Sequence, residues 1–441
     1  MELRWHQRIA LVLYRVFFPL AILLFVILFP FWIFSPKRRK TLFKRLGWQD
    51  YPQTPHSALK PIWIHALSIG ELLSAESLIE NVRRETGKTR PLYLSVSTLS
   101  AYGIATQRFS QYCDGLFYFP YDVAFSVTHC LNKVDPAVFI LIETDIWPGM
   151  LAEIRRRKIP SLLVNGRLSV ESFRLYHALP NLFQPGFNTF DGVYPQSSRE
   201  AERFLAIGLE PAKVRGTGNL KFDVAPAIPE ADAVAQSLQT ECRIASGARV
   251  LIAGSTHRGE EEMIRSCFLR LRTEFSTLQL ILVPRRPERG TEVLDLFRED
   301  GIDSALFSQP IRSTPGVIVI DRIGYLSRLY ALADLAVVGG SFVPKGGQNP
   351  IEPAACGKPV VFGPDMHDFP DIAQWLLDAR GAVQARNEEE LYATCRRLLA
   401  DPQEARMMGA RASRVVADNH GATAKLVQDI INLLQSHSLH S

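Results

Sequence analysis

Short apolar runs alternate with longer amphipathic segments along almost the whole chain, and this alternation limits the fold more than any other feature. The runs are PIWIHALS, RPLYLSVS, GLFYFPY, AVFILIE, SLLVNG and DGVYPQ, followed by RVLIAGST, LQLILVPR, GVIVID, LAVVGGSF and KPVVFGP. Each has the length of a buried strand, and several intervening segments have helical spacing. Strands that alternate with helices form parallel sheets covered by helices. The sequence therefore predicts an α/β fold.

A change of composition separates the two series of strands. A chain of 441 residues is too long for one ordinary core, and the stretch NLKFDVAPAIPEADAVAQ is rich in alanine, proline and acidic residues. We therefore predict a linker over residues 223–247 between two doubly wound, Rossmann-like domains, residues 47–222 and 248–441. Ligands bind at the carboxyl ends of the strands in open α/β sheets, so we expect the two domains to face a common cleft there.

The composition is that of a folded protein without a cysteine-based metal site. Apolar residues make up 47% of the chain and charged residues 22%, which excludes extensive disorder. The six cysteines, at positions 113, 130, 242, 267, 356 and 395, form no CxxC pair or zinc-like cluster. This usage is typical of a reducing compartment, and we expect no structural metal.

The N-terminus differs from the rest of the chain. Residues 16–34, VFFPLAILLFVILFPFWIF, carry no charge, and a helix of this length extends about 28 Å, close to the thickness of a bilayer core. The basic run SPKRRKTLFKR follows directly, which favours a cytoplasmic C-terminal side. We predict a single-pass membrane anchor within residues 1–46, with anionic membrane lipids as its partner. A cleavable signal peptide is the alternative, but no small-residue cleavage site follows. The basic run has no nucleic-acid recognition motif beside it, so no nucleic-acid partner is expected.

Glu71, in the stretch IHALSIGE, lies where a predicted strand ends and a helix begins. The helix dipole favours an acidic residue in a first turn, so on this stretch alone a structural role is favoured. A functional carboxylate is the second interpretation, and the helix start is expected to keep it ionised.

Other charged residues end neighbouring segments of the first half. Glu143 and Asp145 follow an apolar strand. Burying two acidic side chains there costs free energy unless they are ion-paired, exposed to solvent or part of a functional site. Lys221, in GTGNLKFD, could neutralise negative charge in the cleft or could be a surface lysine. His65 and His177 are interpreted as core or surface histidines.

Small and polar residues cluster between strands in the second half. Ser255, Thr256 and His257 lie in AGSTHRGEEEMI, where a phosphate or sugar could approach backbone N–H groups at a helix start. The glycine-rich stretch VVGGSFVPKGGQNPIEPAACGKPVVFGP could hold a nucleotide phosphate on its backbone amides. Glu352 within it could accept hydrogen bonds from both ribose hydroxyls. The alternatives are an ordinary strand-to-helix turn and a first-turn acid.

Taken together, these stretches resemble the 3-deoxy-D-manno-octulosonic acid (Kdo) transferases of lipopolysaccharide assembly, which are GT-B glycosyltransferases. The resemblance lies in HALSIGE, ETDIWPGML, NGRLS, GNLKFD, AGSTHRGEEE, VPRRPER and GGQNPIEPAACGKPVVFGP, in this order. It implies inverting transfer of Kdo from CMP-Kdo to a lipid A precursor, lipid IVA, at the cytoplasmic side of the inner membrane, with no cofactor or metal. Residues 47–222 would bind the acceptor and residues 248–441, with C-terminal helices, the donor.

The resemblance also implies individual roles. Glu71 would be the general base, and Glu143 and Lys221 would stabilise the transition state. The CMP contacts would come from Pro284, Arg285, Ile323, Gly324, Tyr325, Asn349, Pro350, Ile351 and Glu352. The chain departs from the family pattern at Arg286 and Gln348, where histidine is usual, and at residues 323–325, where Met-Gly-Glu is common. The rival functions are a GT-B transferase that uses a UDP-sugar on a lipid acceptor and a non-catalytic membrane-anchored binding protein.

Overall fold

The computed structural model describes residues 3–28, 36–54, 59–216, 218–223 and 231–438. The chain divides into two compact units. Unit 1 comprises Met1–Val224 and His420–Ser441, and unit 2 comprises Ala225–Asn419. Each unit contains one sheet, as the two series of apolar runs predict.

The sheet of unit 1 has six parallel strands in the order β3-β2-β1-β4-β5-β6. The strands are β1 (Ile62–Ala66), β2 (Leu92–Val96), β3 (Gly115–Tyr118), β4 (Val138–Ile142), β5 (Ser161–Gly166) and β6 (Gly192–Pro195). Every residue of β1, β2 and β4 is buried, because helices cover both faces of the sheet. Strand β1 pairs with both β2 and β4, so the strand order reverses there and ligands are expected beside its carboxyl end.

The helices of unit 1 connect these strands and cover the sheet. They are α1 (Trp5–Leu28), α2 (Pro36–Arg45), α3 (Ile69–Ser74), α4 (Glu76–Thr86), α5 (Leu99–Arg108), α6 (Ala124–Val134), α7 (Pro148–Arg156), α8 (Val170–Ala178), α9 (Pro180–Phe187) and α10 (Ser198–Ala206), with 3-10 helices at Pro211–Lys213 and Leu220–Phe222.

The sheet of unit 2 has seven parallel strands in the order β13-β12-β11-β7-β8-β10-β9. They are β7 (Val250–Thr256), β8 (Gln279–Pro284), β9 (Ser304–Leu306), β10 (Val317–Val319), β11 (Leu335–Val338), β12 (Val360–Phe362) and β13 (Ala382–Gln384). Strand β7 pairs with β8 and β11, so the strand order of this sheet reverses at β7.

The helices of unit 2 flank its strands. They are α11 (Ala231–Glu241), α12 (Glu260–Glu274), α13 (Gly290–Arg298), α14 (Leu326–Leu329), α15 (Ile351–Ala355), α16 (Pro370–Asp378), α17 (Glu388–Ala400) and α18 (Pro402–Asn419), with 3-10 helices at Pro287–Arg289 and Tyr330–Leu332.

The last helix, α19 (Ala422–Ser438), corrects the predicted domain boundary. The second domain was expected to run from residue 248 to the C-terminus, but α19 belongs to unit 1. Its residues Leu426, Val427, Ile430 and Leu434 are buried in the core of unit 1, because they lie on one face of the helix. The predicted linker also holds α11, whose Leu238 is buried in a core cluster of unit 2.

The predicted membrane anchor overlaps α1 but continues through residues 29–35, which lie outside the described residues. Within the described ranges, no helix combines the length and apolar character needed to cross a membrane. One face of α1 is exposed, and each of its apolar residues is at least 49% accessible: Trp5, Ile9, Val12, Leu13, Val16, Phe17 and Leu20. On another face, Tyr14 donates a hydrogen bond to Asp122 at 2.8 Å.

Candidate active site

Glu71 lies beside the carboxyl end of β1, in the first turn of α3. Ser68 is the N-cap of this helix, and its hydroxyl accepts the Glu71 N–H at 3.4 Å. The Glu71 carboxylate in turn accepts hydrogen bonds from the Leu67 N–H and the Ser68 hydroxyl. The side chain reaches back over its own helix start, so it is a cap as well as a candidate base.

Burial, followed by the nearby negative charge of Glu143, raises the pKa of Glu71 to about 8, whereas the hydrogen bond from the Leu67 N–H opposes the shift. The expectation that the helix start keeps Glu71 ionised is therefore wrong. Residue Glu71 is only 9% exposed, and the desolvation of its charge outweighs two local hydrogen bonds. A carboxyl with a pKa near 8 has a much higher proton affinity than an ordinary glutamate, as a general base for a hydroxyl requires.

Glu143 follows β4 in a left-handed backbone conformation, with φ of 57°. Its N–H donates to the Val164 carbonyl of β5 at 2.8 Å. Non-glycine residues avoid this conformation, and strained residues of this kind concentrate at functional sites. Burial raises the pKa of Glu143, and the positive charges of Lys221 and Arg167 lower it.

Lys221 lies in the 3-10 helix Leu220–Phe222, which follows β6 in unit 1. Its charge acts on Glu143, and the charge of Glu143 acts on Glu71. The three residues that the resemblance implied are thus brought together at one edge of one sheet. Their separation of 150 residues in the sequence is bridged by the parallel strand order.

A second layer of polar residues lies behind these carboxylates. Asp145 accepts a hydrogen bond from the Trp147 indole at 2.7 Å, and its carboxylate lies 3.9 Å from Nε2 of the buried His65. Burial lowers the pKa of His65, and its ring stacks on Phe119 at 3.9 Å between centroids. The interpretation of His65 as a core histidine is confirmed.

Arg45 belongs to this layer, although the sequence placed it in the basic run beside the membrane. Its guanidinium donates to the Phe119 carbonyl at 3.0 Å and lies 4.2 Å from the Tyr121 ring centroid. Burial lowers its pKa, and the charge of Asp145 opposes this. A run of basic residues does not reveal which of its members turns inward, so no sequence signal pointed to Arg45.

In unit 2, the backbone amides that were expected to hold phosphate are already occupied. Glu260 is fully buried at the start of α12. Its carboxylate accepts the N–H groups of His257 at 2.9 Å, Gly340 at 2.7 Å, Ser341 at 3.1 Å and Phe342 at 3.0 Å. The protein's own carboxylate thus fills the anion position of this glycine loop.

The backbone N–H groups of the second pair of glycines in the loop, Gly346 and Gly347, also have acceptors within the protein. The Gly346 N–H donates to Asp365 at 2.8 Å, and the Gly347 N–H donates to the Gly340 carbonyl at 2.8 Å. The Gln348 N–H donates to the Gly339 carbonyl at 3.0 Å. The prediction of a phosphate cradle built from these amides is therefore wrong, because these bonds shape the loop itself.

Side chains supply the positive charge near the carboxyl end of β7. The charges of Arg285 and Lys345 both act on His257, and burial together with these charges lowers the pKa of His257. Thr256 is 1% exposed and donates its hydroxyl to Glu261 at 3.1 Å, so it faces inward. Ser255 beside it has a φ of 56°. Of the predicted donor loop, Ser255 and His257 remain candidates for ligand contact.

The residues that were proposed to contact the nucleotide lie around the carboxyl ends of the strands of the unit 2 sheet. Asn349 accepts the Ile351 N–H at 3.0 Å and donates to Glu352 at 3.3 Å, which fixes the carboxylate at the start of α15. Burial raises the pKa of Glu352. Pro350 and Ile351 are buried, and Pro284 ends β8 immediately before the exposed Arg285.

The segment 323–325 precedes α14 in unit 2. Ile323 is 86% exposed, Gly324 has a φ of 90°, and the Tyr325 ring packs against Phe307 at 4.9 Å between centroids. The Tyr325 ring thus packs against the protein itself. Among all residues that the structure describes, no group of three or more His, Cys, Asp or Glu residues could hold a metal ion.

Solved structures with the same architecture define the class. A putative UDP-N-acetylglucosamine 2-epimerase from Listeria monocytogenes matches with a TM-score of 0.55 and 14% identity, over 87% of this chain and 98% of that one. The spinosyn rhamnosyltransferase SpnG matches with a TM-score of 0.53 and 12% identity, over 84% of this chain and 99% of that one. The chain therefore has a GT-B-like α/β fold with two parallel sheets.

Sequence relatives define the family within this class. A family profile described as 3-deoxy-D-manno-octulosonic-acid transferase (kdotransferase) matches residues 40–224. The 3-deoxy-D-manno-octulosonic acid transferase of Haemophilus influenzae is 30% identical over 399 residues, which cover 89% of this chain and 91% of that protein. The transferase of the same name from Bordetella pertussis is 30% identical over 407 residues, 89% of this chain and 90% of that protein. The chain belongs to the Kdo transferase family of glycosyltransferases, as the sequence motifs predicted.

Proposed function

We propose that the enzyme transfers Kdo from CMP-Kdo to a lipid A precursor such as lipid IVA, with inversion at the anomeric carbon. The observation that carries this proposal is the convergence of Glu71, Glu143 and Lys221 at the carboxyl edge of the unit 1 sheet. This site contains one carboxyl with a raised proton affinity beside a second carboxylate and a cation. Such a set can accept a proton and stabilise charges of both signs.

In the proposed reaction, the ionised Glu71 accepts the proton of the acceptor hydroxyl as that oxygen attacks the anomeric carbon of Kdo. The new C–O bond forms as the bond to the cytidylyl phosphate breaks, and CMP departs with the electron pair. The leaving group is a phosphate, so no acid partner is required. The high pKa of Glu71, about 8, lets this carboxylate hold the proton at neutral pH.

Glu143 and Lys221 act on the charges that develop during this step. The anomeric carbon gains positive character as the phosphate leaves, and the carboxylate of Glu143 stabilises it. Lys221 stabilises the negative oxygens and holds the pKa of Glu143 down. Charges fixed in a partly desolvated site act without reorganisation during the reaction.

Unit 2 supplies the CMP contacts in this proposal. The occupied amides of the glycine loop leave Arg285, Lys345 and His257 as the groups suited to the CMP phosphate. Glu352, already fixed by Asn349, is suited to the ribose hydroxyls. We propose that the Arg285 and Lys345 cations, without a metal ion or another cofactor, neutralise the leaving phosphate. Full activity in excess chelator supports this, and loss of activity that Mg²⁺ restores contradicts it.

We propose that the enzyme is attached to the cytoplasmic face of the inner membrane through its N-terminus. The exposed apolar face of α1, which we call the α1 stripe, supports this location. A helix that keeps a continuous apolar face exposed fits an interfacial segment. The anchor predicted through residues 29–34 would add to this attachment, and the acceptor is itself a membrane lipid.

The test of the proposed function is product analysis. The purified full-length chain is incubated in detergent with CMP-Kdo and lipid IVA, and the lipid is examined by mass spectrometry. Addition of Kdo with release of CMP is the expected result, and the same spectrum counts the Kdo residues added. Transfer from a UDP-sugar in place of CMP-Kdo would contradict the donor assignment.

A further inference from the structure

Three buried amide side chains connect to the turn that carries Lys221. They are Asn165, Gln196 and Asn219, none more than 4% exposed, and we call them the amide chain. Asn219 Oδ1 accepts the Lys221 N–H at 3.0 Å, and its Nδ2 donates to Gln196 Oε1 at 3.3 Å. The Gln196 amide donates to the main-chain carbonyl of Asn165 at 3.1 Å.

Asn165 closes this network on the same turn. Its Oδ1 accepts the Leu220 N–H at 3.2 Å, so the main-chain N–H groups of Leu220 and Lys221 are both bonded to the amide chain. A backbone N–H can only donate, which fixes the oxygen of the Asn165 amide toward the turn. Two successive residues of the Lys221 turn are therefore fixed from the carboxyl end of β5.

Asn165 carries a buried polar group that is unfavourable for stability alone. Its φ is 58°, in the left-handed region. Its Nδ2 is buried and has no hydrogen-bond partner among the described residues of the chain. A buried N–H without a partner is destabilising, and such costs are expected where a residue serves function.

The end of β5, where Asn165 lies, is hydrogen-bonded both to the Lys221 turn and to the backbone of Glu143. Residue Val164, immediately before Asn165, accepts the Glu143 N–H at 2.8 Å. The end of β5 thus bonds to the backbone of the carboxylate on one side and to the turn of the cation on the other. A displacement of this strand end would separate the two charges.

We propose that Asn165 is a positioning residue, which holds the Lys221 turn in register with Glu143 through its side-chain bond to Leu220 and through the amide chain. This inference rests on the role of Lys221 in the proposed function. Nothing in it requires Asn165 to contact either substrate.

The first test is Asn165→Gly, because glycine adopts a positive φ without strain and the change removes only the side chain. We expect kcat to fall roughly 10- to 100-fold with KM values nearly unchanged, since small displacements of a catalytic group have effects of this size. Asn219→Ala, which removes the bond to the Lys221 N–H, is the second variant and should show the same loss. A wild-type kcat in either folded variant would overturn the proposal.

The pH profile separates positioning from a loss of stability. Glu143 experiences the positive charges of Lys221 and Arg167 and the negative charge of Glu71, which itself experiences Asp145. Moving Lys221 away removes a positive charge that lowers the pKa of Glu143, so Glu143 becomes harder to ionise and the acidic limb of the kcat profile should move to higher pH. The matched control is Asn188→Ala, which removes an amide that accepts the Glu210 N–H at 2.9 Å elsewhere in unit 1. It should lower the melting temperature and leave the pH profile unchanged; an equal shift in the control would overturn the proposal.

A double-mutant cycle with Lys221→Ala completes the test. If Asn165 acts through Lys221, Asn165→Gly causes no further loss of kcat in the Lys221→Ala background. Additive losses would overturn the proposal. If Lys221→Ala alone leaves kcat unchanged, the proposed role of Lys221 fails; if it abolishes turnover while Asn165→Gly has no effect, only the inference about Asn165 fails.

Discussion

Replacing Glu71 by glutamine tests the central carboxyl of the site. Glutamine keeps an acceptor for the Leu67 N–H and the Ser68 hydroxyl but cannot act as a base. The raised pKa of Glu71 means that the folded state binds a proton more tightly than the unfolded state. Between about pH 4.5 and 8, the unfolded chain therefore binds fewer protons at this position, and rising pH weakens the wild-type fold.

The size of the pH-dependent change in stability follows from the pKa shift of Glu71. The pKa of Glu71 rises from 4.5 to about 8, and at about 1.4 kcal/mol per unit the wild type loses at most about 5 kcal/mol of stability across this window. Glu71→Gln removes the titration, so its free energy of unfolding should depend less on pH and exceed that of the wild type most at pH 8. Its transfer rate should fall by roughly two to four orders of magnitude.

The assay combines urea unfolding at several pH values with Kdo transfer by Glu71→Gln. The matched control is Glu76→Gln, which alters another first-turn acid, in α4, ion-paired with the exposed Arg108. This control should transfer Kdo nearly as well as the wild type. Transfer by Glu71→Gln within tenfold of the wild type refutes the base assignment, and an unchanged pH dependence of its unfolding refutes the raised pKa.

Three further predictions concern groups outside the catalytic carboxylates. Glu260→Ala leaves four N–H groups without their acceptor, two of them buried and two partly buried, and should reduce the free energy of unfolding in a urea titration by more than about 3 kcal/mol. Glu262→Ala, at an exposed cap, should cost under about 1 kcal/mol in the same titration. Glu352→Ala should weaken CMP binding by about 1–3 kcal/mol in calorimetry, and an unchanged affinity would make Glu352 a first-turn acid only. Val12→Ser with Phe17→Ser removes apolar area from the α1 stripe without changing its charge, and should reduce sedimentation of the chain with phosphatidylglycerol vesicles while transfer to detergent-dispersed acceptor persists. Unchanged sedimentation would exclude the α1 stripe as the contact.

Much of the fold followed from the sequence because strands buried on both faces read as continuous apolar runs. The runs containing Ile62–Ala66 and Val138–Ile142 are strands, as predicted. The strands Ser304–Leu306 and Ala382–Gln384 were not predicted, because three residues carry too little periodicity to distinguish a strand from a loop.

The site was only partly predictable, because the properties of its residues depend on contacts with residues that are distant in sequence. The position of Glu71 at a strand end could be read locally, but its raised pKa depends on burial and on Glu143. The glycine loop suggested free amides, yet Glu260 reaches them from 80 residues away. Arg45 likewise reads as one more basic residue until the fold places it beside Asp145.

The return of α19 to unit 1 has a consequence for the order of synthesis. Asp223 accepts the N–H groups of Gly421 at 2.7 Å and Thr423 at 2.6 Å, so the chain leaves unit 1 and re-enters it at neighbouring points. In topological terms, unit 2 is an insertion within unit 1. During translation, unit 2 is complete before unit 1, whose core lacks Leu426 and Ile430 until α19 has been synthesised. A nascent chain that stops at residue 419 would therefore hold a finished second unit and a first unit with an open apolar surface beside the Lys221 turn.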